Sequence, residues 1–154
     1  MREHAAMVAL VLLAALLCSW SVTVPWLGEA IGLGVAVATT VEIVDHVVPG
    51  AVGIAAALAL LGPARRDEAG TPTVLVASGA LSLAGLWMTA THVPLLLQAA
   101  RAIVPWPNAI WHAAAGPIVL ALGVALFMYP SGSVAAQRRT DGAGALPDGN
   151  DHSR

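Results

Sequence analysis

The chain has 154 residues, of which 58% are hydrophobic and only 10% charged, a balance far from the roughly one-quarter charge of soluble domains. A net charge of -2, with all seven basic residues arginine and no basic cluster, excludes a nucleic-acid partner. One cysteine, Cys18, excludes an internal disulfide and the paired-thiol chemistry of four-helix membrane oxidoreductases. The fold class that follows is all-α: an integral membrane bundle of four transmembrane helices with short loops and a polar C-terminal tail.

The first predicted span covers about residues 5–24. It follows a basic start, as a signal peptide would, yet its length suits a bilayer crossing and no A-x-A cleavage site follows. An uncleaved first helix is expected. The second apolar region, 28–62, is too long for one simple span. Within it 39-TTVE-42 matches a capping box, in which a threonine hydroxyl and a glutamate three residues on satisfy the free amides of a helix start. The second helix is therefore placed at 40–62, ending at Gly62-Pro63, and 28–38 is left as an interfacial or re-entrant piece. Five spans, with a tight turn at Pro49-Gly50, is the alternative.

The third span is set at 73–93, ended by Pro94, and the fourth at 109–129. Between them, 95-LLLQAARAIV-104 places Leu95, Leu96 and Ala99 on one side and Gln98 and Arg101 on another, which suits an amphipathic connector in the interface. Ser78, Ala80, Ser82 and Ala84 in the third span, with Gly116 and Gly123 in the fourth, give the small-residue spacings that let helices approach closely, within the bundle or against a partner. The tail, 130–154, lacks the apolar content to pack and is expected to be disordered. Residues 1–129 thus form a single transmembrane domain.

Arginine placement puts the N- and C-termini in the cytoplasm, because Arg2, Arg65, Arg66, Arg138 and Arg139 then lie inside and only Arg101 outside. Trp20, Trp26, Trp106 and Trp111 fall at the outer ends of the spans, with Trp87 just below, where interfacial anchoring is their expected role.

The same map gathers the ionisable residues. In 41-VEIVDHVVPG-50, His46 sits about 9 Å below the outer start of its helix at 1.5 Å per residue. His92 lies at the outer end of the third span and His112 about 5 Å into the fourth. Glu42 stacks on His46 at i,i+4, and Asp45 adjoins it. Pro49, Pro94 and Pro117 each open helical backbone beside one of these histidines. Ionisable groups in a membrane span are costly, so they face the bundle interior and mark function.

The candidate metal ligands are accordingly His46, His92, His112, Asp45 and Glu42. Neutral imidazoles with a carboxylate suit Cu or Zn, and the thioether of Met88 near them would favour Cu(I). Two facing imidazoles could instead hold a haem b. The bland readings are a capping role for Glu42, a helix-dipole role for Asp45 and solvated histidines near headgroups. No HExxH and no repeated ExxH pair is present, and no nucleophile–base pair or phosphate loop points to an enzyme. The expected function is a small multi-pass accessory or structural membrane subunit, in the lipid bilayer with a partner subunit or a second copy. The alternative is a transition-metal- or haem-binding membrane protein.

Overall fold

A computed structural model describes residues 2–28, 30, 40–66 and 70–143, with side chains described between Ala5 and Tyr129. Among these residues the chain is helical throughout, without strands. We number the helices α1 (Arg2–Leu27), α2 (Thr40–Arg66), α3 (Pro72–Ala100), α4 (Trp106–Ala113) and α5 (Ala115–Ala143). Four helical stretches are long and apolar enough to cross a membrane: Ala5–Leu27, α2, α3 and Trp106–Tyr129, the last running through α4 into α5. The fold is a four-span bundle, as the composition requires.

Helix α2 runs unbroken through Pro49 and Gly50, so the tight turn of the five-span alternative does not form. The proline is accommodated by widening. Residues Ile43–Val47 make one π turn, in which the Val48 amide donates to the Ile43 carbonyl five residues back. Pro49 cannot donate to the Asp45 carbonyl and crowds it, and a π turn relieves both demands without ending the helix.

Several expected boundaries move outward. Helix α2 passes Pro63 and ends at Arg66, where two arginines in the last turn favour the helix C-terminus. Helix α3 passes Pro94 and ends at Ala100, because Leu95, Leu96, Leu97, Gln98, Ala99 and Ala100 all propagate a helix well enough to offset one missing bond. The connector reading of 95–104 is corrected accordingly. Its two-sidedness survives, with Ala99 buried and Gln98 and Arg101 exposed. Helix α3 then stops in a Schellman motif, in which the Ile103 amide reaches the Gln98 carbonyl at 2.9 Å and the Ala102 amide the Ala99 carbonyl at 3.0 Å. Ala102 has φ 56°, a left-handed conformation that usually selects glycine. At its start, Thr71 caps α3 by accepting from the Val74 amide, with Pro72 at the first helical position.

The last helix carries helical backbone to Ala143, into the segment expected to be disordered. Ala135, Ala136, Gln137, Arg138 and Arg139 are strong helix formers and extend it. The tail beyond Ala143, Thr39 of the capping box and residues 31–38 of the interfacial piece lie outside the described residues.

The core is a membrane core, built of small side chains brought close. Cys18 of α1 is fully buried against Gly53 of α2, where a Cβ would collide with its Sγ. A Cβ on Gly85 of α3 would run into the backbone of Val119 and Leu120 on α5, and one on Gly123 would come 2.6 Å from the Ser82 amide nitrogen. These contacts let α3 and α5 meet backbone to backbone. Of the small residues anticipated at such faces, Ser82, Gly116 and Gly123 are therefore used inside the chain, whereas Ala80 lines open apolar grooves beside α2. All five tryptophans keep 38–69% of their surface exposed, as side chains turned toward lipid or an interface do.

Candidate metal centre

Three imidazoles meet between α2, α3 and α4. Their ring centroids form a nearly regular triangle: His46 to His92 4.7 Å, His46 to His112 4.7 Å, His92 to His112 4.9 Å. His46 and His92 are buried and His112 is partly so. The nitrogens face each other, with His46 Nε2 3.0 Å from His112 Nε2 and 3.1 Å from His92 Nε2. One donor nitrogen from each of the three rings lies within 4.8 Å of the other two.

The local folding of each helix accounts for these directions. His46 is carried by the π turn, which places it between the α1 and α3 faces rather than at the lipid. His112 is the penultimate residue of α4, beside the interruption at Ala114, where Pro117 cannot supply an amide to the Ala113 carbonyl. His92 is in continuous helix, so the expectation that every histidine adjoins an opened turn holds for two of the three.

Hydrogen bonds engage the far side of two rings and, for His92, fix which nitrogen is free. His92 Nδ1 lies 2.6 Å from the Met88 carbonyl, an acceptor only, so Nδ1 carries the proton and Nε2 keeps its lone pair. His46 Nδ1 lies 3.4 Å from Ser21 Oγ, whose own hydroxyl can donate to the His46 carbonyl at 3.2 Å. The hydroxyl can equally donate to Nδ1, so His46 either presents a bare Nε2 to the other rings or shares an Nε2 proton with one of them at 3.0–3.1 Å. The first tautomer is the one that binding a cation selects. Metal-bound histidines show the same pattern, the second ring nitrogen donating to a carbonyl or hydroxyl that fixes tautomer and orientation.

The five residues singled out in the sequence do not all arrive. Glu42 comes close on one side, its Oε2 3.4 Å from His46 Nε2 and 3.8 Å from His112 Nε2. Those separations are close to the spacing of two ligands on one ion, so Glu42 stands at the edge of the histidine group. Asp45 is half-buried and does not join the donor group. Met88 is buried, but its sulfur faces Ser21 Oγ at 3.4 Å, behind the His46 ring. Cys18 packs lower in the bundle against Gly53.

Ser21 is the functional residue that sequence reasoning overlooked. It belongs to a buried stripe on α1, Met7, Val11, Ala14, Cys18 and Ser21, spaced four, three, four and three. That heptad-like spacing was the available signal. A small, largely enclosed cavity of ≈ 20 Å³ lies beside the centre, bounded by Trp20, Ser21, Val24, His46, Trp111, His112 and Ala115.

Chemically, three neutral imidazole nitrogens suit Zn, Cu, Fe or Ni. Metal–nitrogen bonds of about 2.0–2.1 Å put two ligands of a tetrahedral ion about 3.3 Å apart, so the observed 3.0 and 3.1 Å need open by only a few tenths of an ångström. A porphyrin needs a flat slot between two axial imidazoles, and three nitrogens this close leave none. Comparison with known protein families, with characterised proteins and with solved structures finds no match to this chain.

Proposed function

We propose that this protein binds a single transition-metal ion within the membrane, held by His46, His92 and His112. One observation carries the reading: His46 Nε2 lies 3.0 Å from His112 Nε2 and 3.1 Å from His92 Nε2, three rings from three separate helices, with the opposite nitrogens of His46 and His92 engaged by Ser21 and the Met88 carbonyl. Zn(II) and copper are the candidate ions. With Met88 turned to Ser21, nothing in the donor set favours Cu(I). Glu42 stands beside the ligands as a carboxylate whose negative charge offsets the cation. In this reading the centre lies toward the outer face and both termini lie in the cytoplasm, following the arginines.

The accessory-subunit expectation drew on small-residue faces turned to the bundle or to a partner; Gly116 and Gly123 meet α3 of the same chain, while Ala80 lines open apolar grooves beside α2, a face still suited to a partner. The test is metal analysis of detergent-purified full-length protein prepared without chelator. About one Zn or Cu per chain is expected, falling to background when His46, His92 and His112 are together replaced by alanine. A wild-type protein that neither retains nor takes up either ion would overturn the reading. A reporter fused after Arg139 should read cytoplasmic; a signal from the opposite side would reverse the orientation.

A further inference from the structure

Three protein nitrogens leave a four-coordinate ion one ligand short, and the structure offers space for that ligand. The cavity beside the imidazoles is ≈ 20 Å³, just above the volume that admits one water molecule and too small for an organic substrate. Two of its walls are ligand rings, His46 and His112, and a third is Ser21, which holds the His46 ring from its Nδ1 side. Its other walls, Trp20, Val24, Trp111 and Ala115, are largely apolar. The competing fourth donor is Glu42, whose Oε2 lies 3.4 Å from His46 Nε2 and 3.8 Å from His112 Nε2 but which does not line the cavity.

We propose that the metal of this centre keeps one exchangeable coordination position, filled by a single water or hydroxide seated in the cavity between Trp20 and Trp111. The inference rests on the three-histidine metal reading and sharpens it. A closed site with four protein donors only holds the fold together, whereas a site with three donors and a water can polarise or activate what it binds. The two indoles and Ala115 restrict the position to ligands of one or two heavy atoms.

The experiment uses the full-length protein in detergent, loaded with Cu(II), which binds nitrogen sites tightly and reports its ligands by electron paramagnetic resonance. After exchange into D2O, pulsed measurements should show deuterium coupling of a directly bound water at one copper per chain. Ala115→Leu, which fills the cavity, should abolish that coupling with copper content unchanged. Val24→Phe fills it from α1 and gives a second route if the first variant does not fold. Copper retained by the wild type without deuterium coupling overturns this proposal alone, as does coupling that persists in both filled variants. Coupling that appears only in Glu42→Gln also overturns it, since the carboxylate would then be the fourth ligand. Copper absent from the wild type removes the metal reading and this inference with it.

Discussion

The two halves of the bundle treat polar side chains differently. Toward the arginine loop and through the middle, hydroxyls bond back to their own helix: Ser78 to the Val74 carbonyl, Ser82 to that of Ser78 and Thr89 to that of Gly85. Each satisfies itself four residues back and leaves the helix surface smooth for close packing. At the histidine end Thr23 and Thr91 still bond back to the Ser19 and Met88 carbonyls, but contacts between helices are added. Ser21 reaches His46 and Met88, and His46 reaches both His92 and His112. Packing could have been achieved with the first arrangement alone. Among the described residues these contacts between helices gather in one layer, which is what makes that layer the candidate site.

The contrast predicts separable failures. Gly85→Leu should have the largest effect, because its side chain must displace the Val119–Leu120 backbone; a loss above about 3 kcal/mol is expected, read as aggregation or a collapsed Tm in detergent. A Gly85→Leu protein that melts like the wild type would show that the two halves are not divided as described. His46→Ala should do the reverse. The bundle should stay folded by circular dichroism while metal affinity falls by more than about 100-fold, beyond the range seen for outer ligand partners. Ser21→Ala sharpens the division, since it removes no ligand but frees the His46 ring; a loss of about 10-fold in metal affinity is expected, with the Tm of metal-free protein little changed. The smallest effect belongs to neither half. Ala102→Gly relieves a left-handed residue at the end of α3 and should stabilise the protein by about 1 kcal/mol, measured by thermal melting, without altering metal content.

What the sequence made legible was depth. Helical rise and span boundaries were enough to bring His46, His92 and His112 to one level from three helices, and the structure brings their rings together. What it concealed was azimuth, the direction each side chain takes around its helix. A span surrounded by lipid is apolar on every face, so hydropathy does not distinguish the buried stripe of α1 from its outward face. Ser19, exposed, and Ser21, buried, look alike in sequence. The same blindness let Asp45 be grouped with His46, although adjacent helical residues point about 100° apart. Glu42 was read mainly as a cap, and its i,i+4 relation to His46 proved the more informative fact. Prolines misled differently. Pro49 reshaped its helix where expected, while Pro63 and Pro94 sit inside helices they were expected to end. A single missing amide is a weak terminator when good helix formers follow.

The π turn has a consequence for how this centre tolerates change. One extra residue is accommodated between Ile43 and Val48, so the angular relation of Glu42 and His46 to the rest of α2 is set by a count of residues as well as by their chemistry. Deleting one of its apolar members, Val44, would let the segment close as ordinary α-helix with the Val48 amide still on the Ile43 carbonyl, now four residues back, so everything before the deletion would keep its direction relative to the buried face of α2. Deleting Val52, in ordinary α-helix beyond the π turn, meets no such slack and would swing all that precedes it, Glu42 and His46 included, by about 100°. The centre thus tolerates the loss of a residue inside the π turn and not the loss of one just outside it.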